Sequence, residues 1–314
     1  MLVLKYLKPF ERGDAAAISS LFKLVYGDNY IYSEVYDPQN FCKNHENGSW
    51  QSILAIDSSE KVIGHGLLWS HSTSPDIPEL SLIVVHPEAR NLGLAFKISQ
   101  ELIVIAKLNN ADGVSAKQIC SHPFSQRIGQ SLGFLNLSFW PEYTPSLFDE
   151  TASRESLVEA YLPLKIKPIK KLFITEVLIP NAKLLVAELK EVETVQSSSL
   201  TPTQLELDLV FIKSEVDVFE LYLHRWGENG IGKLELLDPS KLTFILVNAE
   251  LPENTMASKI LLNLGFYFMG LVPDRFRCWT WLFVKNFNLD RSIYILDEKI
   301  NKLLEIGEEN IICT

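Results

Sequence analysis

The chain has 314 residues, 47% of them hydrophobic, and a formal net charge of −10. That length can bury a sizeable core and favours about two domains. The acidic balance argues against a nucleic-acid face, which needs clustered Lys and Arg, and no apolar run is long enough to span a membrane. The four cysteines, Cys42, Cys120, Cys278 and Cys313, are too scattered for a zinc site or a disulfide framework. They fit a reducing cytoplasm, and no metal is expected. The start, MLVLKYLKPFERGD, breaks its apolar run with Lys5, Lys8 and Pro9 and does not read as a signal peptide.

Leu2 to Leu7 reads as a first strand, and Asp14 as the N-cap of a helix with Ala17, Ile18, Leu21, Phe22 and Val25 on one stripe. Trp50 to Ser70 reads as a hairpin turning at SSEK. After Pro75 and Pro78, ELSLIVVH forms the next strand. From Leu94 the apolar positions Ile98, Leu102, Ile105 and Ala106 keep helical spacing until NNADG. VSAKQIC is a strand, and SHPFSQRIGQSLGF a short helix that His122 caps and Gly133 ends. FLNLSFW and ESLVEAYLPLKI are further strands. The fold class is α/β with a mixed sheet.

Between strand ELSLIVVH and the long helix lies a polar loop, PEARNLG, that a plain connector would not need. Amides in the first turn of a helix have no internal partner, and the helix dipole is positive there. A glycine lets an anion approach the backbone, so strand, loop, Gly93 and helix could cradle a pyrophosphate, with Arg90 as a charged donor at the mouth. A tight turn with a packing glycine is the plainer reading of the same residues.

In context, ELSLIVVHPEARNLGLAFKI resembles motif A of the GNAT N-acetyltransferase superfamily, Arg/Gln-x-x-Gly-x-Gly/Ala after a strand. The resemblance covers about residues 1–165, including the early helix, the AIDSSEKVIGHGLL hairpin and QRIGQSLGF, which looks like the superfamily's closing helix. It implies the GNAT fold and acetyl-CoA as acyl donor. By resemblance, Ile83, Val84 and Val85 would align the pantetheine arm through backbone hydrogen bonds. Arg90, Asn91, Leu92, Gly93, Leu94 and Ala95 would hold the phosphates.

Acetyl transfer to an amine needs a neutral amine, a polarised thioester and a reprotonated thiolate. Glu79 opens the strand before the loop, where many GNAT enzymes place a base carboxylate; a solvated strand end is its simpler reading. His65, His71, His86 and His122 are alternatives that each read as structural. Where GNAT enzymes often carry an acid Tyr, four residues before the Gly of the closing x-Gly-Phe, this chain has Gly129. Tyr143 or water would then supply the proton, or transfer would be slow or absent. Tyr30 and Tyr32, in YGDNYIYSEVYDP, fall in a region that overhangs the acceptor pocket in GNAT folds.

The lysine-rich KIKPIKK, residues 165–171, reads as a linker at the junction between residues 1–167 and 168–314. TFILVNAELPENTMASKILLNLGFYFMG repeats the plan of SAKQICSHPFSQRIGQSLGFLNLS, with Leu132, Gly133 and Phe134 matching Leu264, Gly265 and Phe266. The second half therefore reads as a degenerate GNAT-like domain in tandem, walling the acceptor pocket or making a homodimer contact. Its motif A slot, RWGENGIGKLELLDP, offers Gly227, Gly230 and Gly232 but lacks the leading Arg or Gln. The tail LDEKINKLLEIGEEN reads as an amphipathic helix with Ile300, Leu303, Leu304 and Ile306 inward, packed on its own domain. Two functions follow. One is an N-acyltransferase moving an acyl group, acetyl by preference, from CoA to a small-molecule or peptide amine by direct transfer in a ternary complex. The other is an inactive CoA-binding regulatory or scaffold protein. A pure interaction protein would require Arg90 and Gly93 to be accidental.

Overall fold

The computed structural model describes residues 2–146, 154–165, 170–201, 204, 206–212, 216–273, 275–288 and 293–312, with side chains 306–312 left aside. The first half runs β1 (Leu4–Pro9), α1 (Ala15–Tyr26), α2 (Pro38–Glu46), β2 (Trp50–Asp57), β3 (Val62–Trp69), β4 (Glu79–Val85), α3 (Leu94–Leu108), β5 (Gly113–Ile119), α4 (Phe124–Leu132), β6 (Leu135–Pro145) and β7 (Arg154–Pro163). The second continues with β8 (Lys170–Phe173), α5 (Ile179–Val186), β9 (Val192–Gln196), β10 (Asp208–Ile212), β11 (Phe219–Arg225) and α6 (Gly230–Glu235). It ends with β12 (Thr243–Asn248), α7 (Asn254–Asn263), β13 (Tyr267–Val272), β14 (Thr280–Lys285) and α8 (Glu298–Ile312).

The helical stripes are buried where their period places them. In α3, Leu94, Ile98, Leu102 and Ala106 face the sheet; in α1 the stripe begins at Ala15 rather than Ala17, which is exposed. Asp14 precedes α1 but does not cap it. Its carboxylate instead accepts from the Glu11 amide at 2.9 Å and pairs with Lys8. His122 likewise leaves α4 uncapped, since Pro123 holds the N-cap position and no side chain bonds there.

Twelve strands form one sheet in the order β1-β2-β3-β4-β5-β7-β6-β13-β14-β12-β11-β10, and β8 with β9 makes a separate parallel pair. The order is palindromic about β6 and β13. Outward from that seam, 6-7-5-4-3 on one side matches 13-14-12-11-10 on the other, with one parallel pair in each run, β4 with β5 and β11 with β12. Both Leu-Gly-Phe turns close a helix the same way. Gly133 and Gly265 have φ of +83° and +81°, and the amides of Phe134 and Phe266 reach back five residues to the carbonyls of Gly129 and Leu261.

The seam pairs Ser138 with Gly270, whose φ is +118° and whose missing Cβ would clash with the Leu137 carbonyl. Across it the two halves share one apolar core. Trp140 stacks on Phe244 at 5.3 Å, and Tyr161 meets Trp279 edge-on at 6.2 Å. The tail does not pack on its own half alone. Ile300 and Leu303 are buried in the shared core, while the Tyr294 amide bonds the Cys120 carbonyl and the Leu296 amide bonds Gln126 of α4. Leu304 packs at the margin of that core; the side chain of Ile306 and the whole of Cys313 lie outside the described residues.

Candidate functional site

Strands β4 and β5 start side by side and then part. Their only ladder pair among the described residues is Glu79 with Ser115, so Leu80 to Val85 face a gap on the β5 side. On its other edge β4 is irregular as well. The register with β3 shifts between His65 and Leu67, and Leu82 has φ of +54°. The fully buried His65 steadies that kink. Its Nδ1 donates to the Leu82 carbonyl at 3.0 Å, and its Nε2 lies 2.9 Å from the Ser52 hydroxyl. Burial holds its pKa down at about 3, so the ring is neutral and structural.

The gap leads to the polar loop. A single 3-10 turn, Pro87–Ala89, is capped by His86, whose Nδ1 accepts from the Glu88 amide at 3.2 Å. Asn91 and Gly93 follow with φ of +66° and +69°, turning successive amides toward one side ahead of α3. The first helical bond is Lys97 to Gly93, and among the described residues no acceptor takes the amides of residues 91–96. Arg90, Asn91, Leu92 and Gly93 are exposed, Ala95 is half-buried and Leu94 is buried in the core. A Cβ on Gly93 would meet nothing within 4 Å. Ile83, Val84 and Val85 lie along the open edge. The residues singled out as a phosphate cradle and a cofactor rail are thus contiguous, and they offer free amides, an open approach and one guanidinium.

On the α1–α2 face of the sheet, beside the start of the gap, lies a buried charged cluster. Glu79 bonds Lys117 Nζ at 3.1 Å, and His71 Nε2 sits 3.5 Å from the same carboxylate oxygen. Burial alone would raise the Glu79 carboxyl, but Lys117 and His71 outweigh it and hold the group well below the usual carboxylate range. Glu79 is therefore an ion-paired carboxylate and a weak proton acceptor at neutral pH. Tyr143 is also engaged. Its hydroxyl donates to Glu220 Oε2 at 3.1 Å, its ring meets Trp140 and Phe244, and burial raises its pKa. Glu220 in turn pairs with Arg275.

Tyr30 and Tyr32 belong to an aromatic run. Tyr26 and Tyr30 centroids lie 4.7 Å apart, Tyr30 and Tyr32 6.1 Å, and Tyr32 meets Trp69 at 5.0 Å. Burial raises Tyr30, and the field of Glu79 adds to it, which places the run beside the charged cluster. His71 stacks on Trp69 at 4.8 Å. Sequence reasoning missed Lys117, Glu159, Glu220 and Arg275. Three of them are single charges inside otherwise apolar strands, VSAKQI, SLVEAYL and VFELYL, and a lone charge in such a strand is the signal that could have found them.

At the position expected to hold an acid Tyr, any side chain would have to displace Gln118. A Cβ on Gly129 would strike the Gln118 amide, and Gln118 is itself buried. The matching slot of the second half is closed. Strands β11 and β12 pair over five residues from Phe219 with Thr243 to Leu223 with Val247, leaving no gap, and Trp226 fills the space beside Gly230. Among the described residues no cluster of His, Cys, Asp or Glu could hold a metal ion, and no helix is long and apolar enough to cross a membrane.

Residues 16–134 match the model of the acetyltransferase (GNAT) family. Among solved structures the chain is similar to an N-acetyltransferase from Staphylococcus aureus Mu50, at 19% identity over 51% of this chain and 98% of that one, TM-score 0.44. It is similar to the ribosomal-protein-S18-alanine N-acetyltransferase of Escherichia coli, at 16% identity over 52% and 95%, TM-score 0.43. A third is a GNAT superfamily phosphinothricin acetyltransferase from Sinorhizobium meliloti in complex with AcCoA, at 18% identity over 51% and 88%, TM-score 0.44. No curated protein matches the chain. The matched segment, residues 16–134, holds the parted parallel strand pair, the bulged β4 and the free-amide loop, and is similar to the acetyltransferase (GNAT) family.

Proposed function

We propose that the protein is an acyl-CoA-dependent N-acyltransferase, acetyl by preference, acting on a small-molecule or peptide amine by direct transfer in a ternary complex. The observation that carries this is the run of unengaged amides at residues 91–96 beside the parted strands, in a segment of the acetyltransferase family. Arg90 and the amides of Asn91 to Ala95 would hold the diphosphate, and the open backbone edge of Ile83, Val84 and Val85 would align the pantetheine arm. Bound acetyl-CoA supplies an activated thioester carbonyl. The chain's own residues then orient the amine, exclude water and manage protons. Tyr30 and Tyr32 line the acceptor side, and Glu79 holds Lys117 in place rather than taking the proton itself.

The second half, residues 168–314, is on this reading a degenerate copy of the first. The palindromic strand order and the paired Leu-Gly-Phe turns support it. Its role is to wall the acceptor side with Glu220 and Arg275, not to bind a second cofactor. The three described cysteines are buried and form no disulfide among the described residues, in keeping with a reducing cytoplasm. An inactive CoA-binding regulator is the second reading. It is favoured by Gly129, which offers no acid side chain, and by Tyr143, whose hydroxyl already donates to Glu220. Thiol release from acetyl-CoA over a panel of amines separates the two. Turnover supports the enzyme, and tight CoA binding with no thiol release from any amine supports the regulator.

A further inference from the structure

Five charges meet beneath the α1–α2 face, and four are paired off. Glu79 takes Lys117 at 3.1 Å, and Glu220 takes Arg275. The fifth, Glu159, makes no direct ion pair among the described residues, although Lys117 and Arg275 both act on it through space. It sits on β7 directly across from Lys117 on β5 and from Ser138 on β6. The residue is 7% exposed, and its Oε2 atom finds no hydrogen-bond partner among the described residues. A buried carboxylate oxygen left unbonded is costly, and such atoms mark where a missing partner belongs. Two further observations give that partner a sign and a shape. Aromatic faces crowd the same place, with Lys117 Nζ 6.0 Å from the Trp140 centroid and 5.8 Å from that of Tyr143. The cluster is balanced except for the negative charge of Glu159.

We propose that Glu159 is the group that receives the acceptor's ammonium and takes its proton. This rests on the acyltransferase reading above. The acceptor enters as R–NH3+, and one N–H proton passes to Glu159 Oε2, leaving R–NH2 and a neutral carboxyl. The nitrogen lone pair then forms the C–N bond at the thioester carbonyl as the C–S bond breaks. The second nitrogen proton passes, through water, to the departing thiolate, giving the amide and free CoA thiol. Glu159 finally loses its proton to solvent. Burial raises the Glu159 carboxyl, opposed by Lys117, Arg275 and a hydrogen bond from Trp140 and assisted by Glu79, which suits a group that must bind a proton and release it. The ionisable groups facing it are Lys117 from β5, Glu79 from β4, Tyr143 from β6, Glu220 from β11 and Arg275 from the turn before β14.

The test uses the full chain and calorimetry. CoA is titrated into the wild type first, and then n-butylammonium or 1-butanol into the CoA-loaded protein. The expected result is that n-butylammonium binds on the order of tenfold or more tighter to the wild type than to Glu159→Gln, with its affinity falling as pH drops through the Glu159 titration. 1-Butanol should bind both proteins equally. A wild type that binds CoA but treats ammonium and alcohol alike, or a Glu159→Gln protein that keeps full ammonium affinity and the same pH profile, overturns the assignment. If Glu159→Gln does not fold by circular dichroism, the wild-type comparison of ammonium with alcohol and the charge-preserving Glu159→Asp decide the matter alone. A wild type that binds no CoA overturns the acyltransferase reading instead.

Discussion

Single buried charges decide most of what the residues do here. Lys117 neutralises Glu79 inside the protein, so removing one partner leaves the other uncompensated. Lys117→Met is expected to cost roughly 3–5 kcal/mol in urea unfolding at neutral pH, well beyond the lost packing of one aliphatic stem. Because the Glu79 carboxyl is held below its ordinary value of 4.5, its share of the stability is complete above that pH. It is lost as pH falls from there through the depressed folded value. The double variant Glu79→Gln/Lys117→Met should therefore lose stability less steeply than the wild type over that acid range. Glu159 has the opposite sign, since burial raises it from 4.5 and its ionisation weighs against the fold as pH rises. Glu159→Gln is expected to melt at or above the wild-type temperature at pH 8. The sequence singled out Glu79 and Tyr143 but not their partners. Lys117 is 38 positions from Glu79, and Glu220 is 77 from Tyr143, and no local pattern encodes such pairs.

At the scale of elements, the polar loop before α3 was legible because its determinants are local. Gly93 supplies the left-handed turn and Arg90 the charge, and the stripe from Leu94 fixes where the helix begins. The gap beside it was not legible, since whether β4 and β5 pair is settled by what each strand meets elsewhere. Nor does a leucine announce the positive φ at Leu82. That kink depends on His65, whose Nδ1 proton goes to the Leu82 carbonyl. His65→Leu removes the donor and leaves a buried carbonyl unbonded, at a cost of about 1–3 kcal/mol. It should also weaken acetyl-CoA binding several-fold in equilibrium titration while α3 stays intact by circular dichroism. Leu-Gly-Phe was a weak repeat signal as three letters. In the structure both tripeptides end a helix with the same reach-back hydrogen bond.

For the molecule as a whole, one sheet runs through both halves and one apolar cluster spans the seam, while two further clusters belong to the first half. Gly270 is the point on which that continuity turns, because only a residue without a Cβ fits against the Leu137 carbonyl at φ of +118°. Gly270→Ala is expected to lower stability by roughly 2–4 kcal/mol, read as a drop in the midpoint of a single cooperative melt. Separate melts for the halves would contradict a shared core. The central claim concerns the first half, that the loop from Arg90 to Ala95 holds a CoA diphosphate. Its most direct measurement is calorimetric titration of acetyl-CoA into the intact protein and into Gly93→Glu, whose carboxylate would project into the open space beside the loop amides. The expected result is saturable binding by the wild type and a loss of on the order of a hundredfold or more in the variant, from anion repulsion and left-handed strain together. No binding by the wild type, or equal binding by Gly93→Glu, would contradict it.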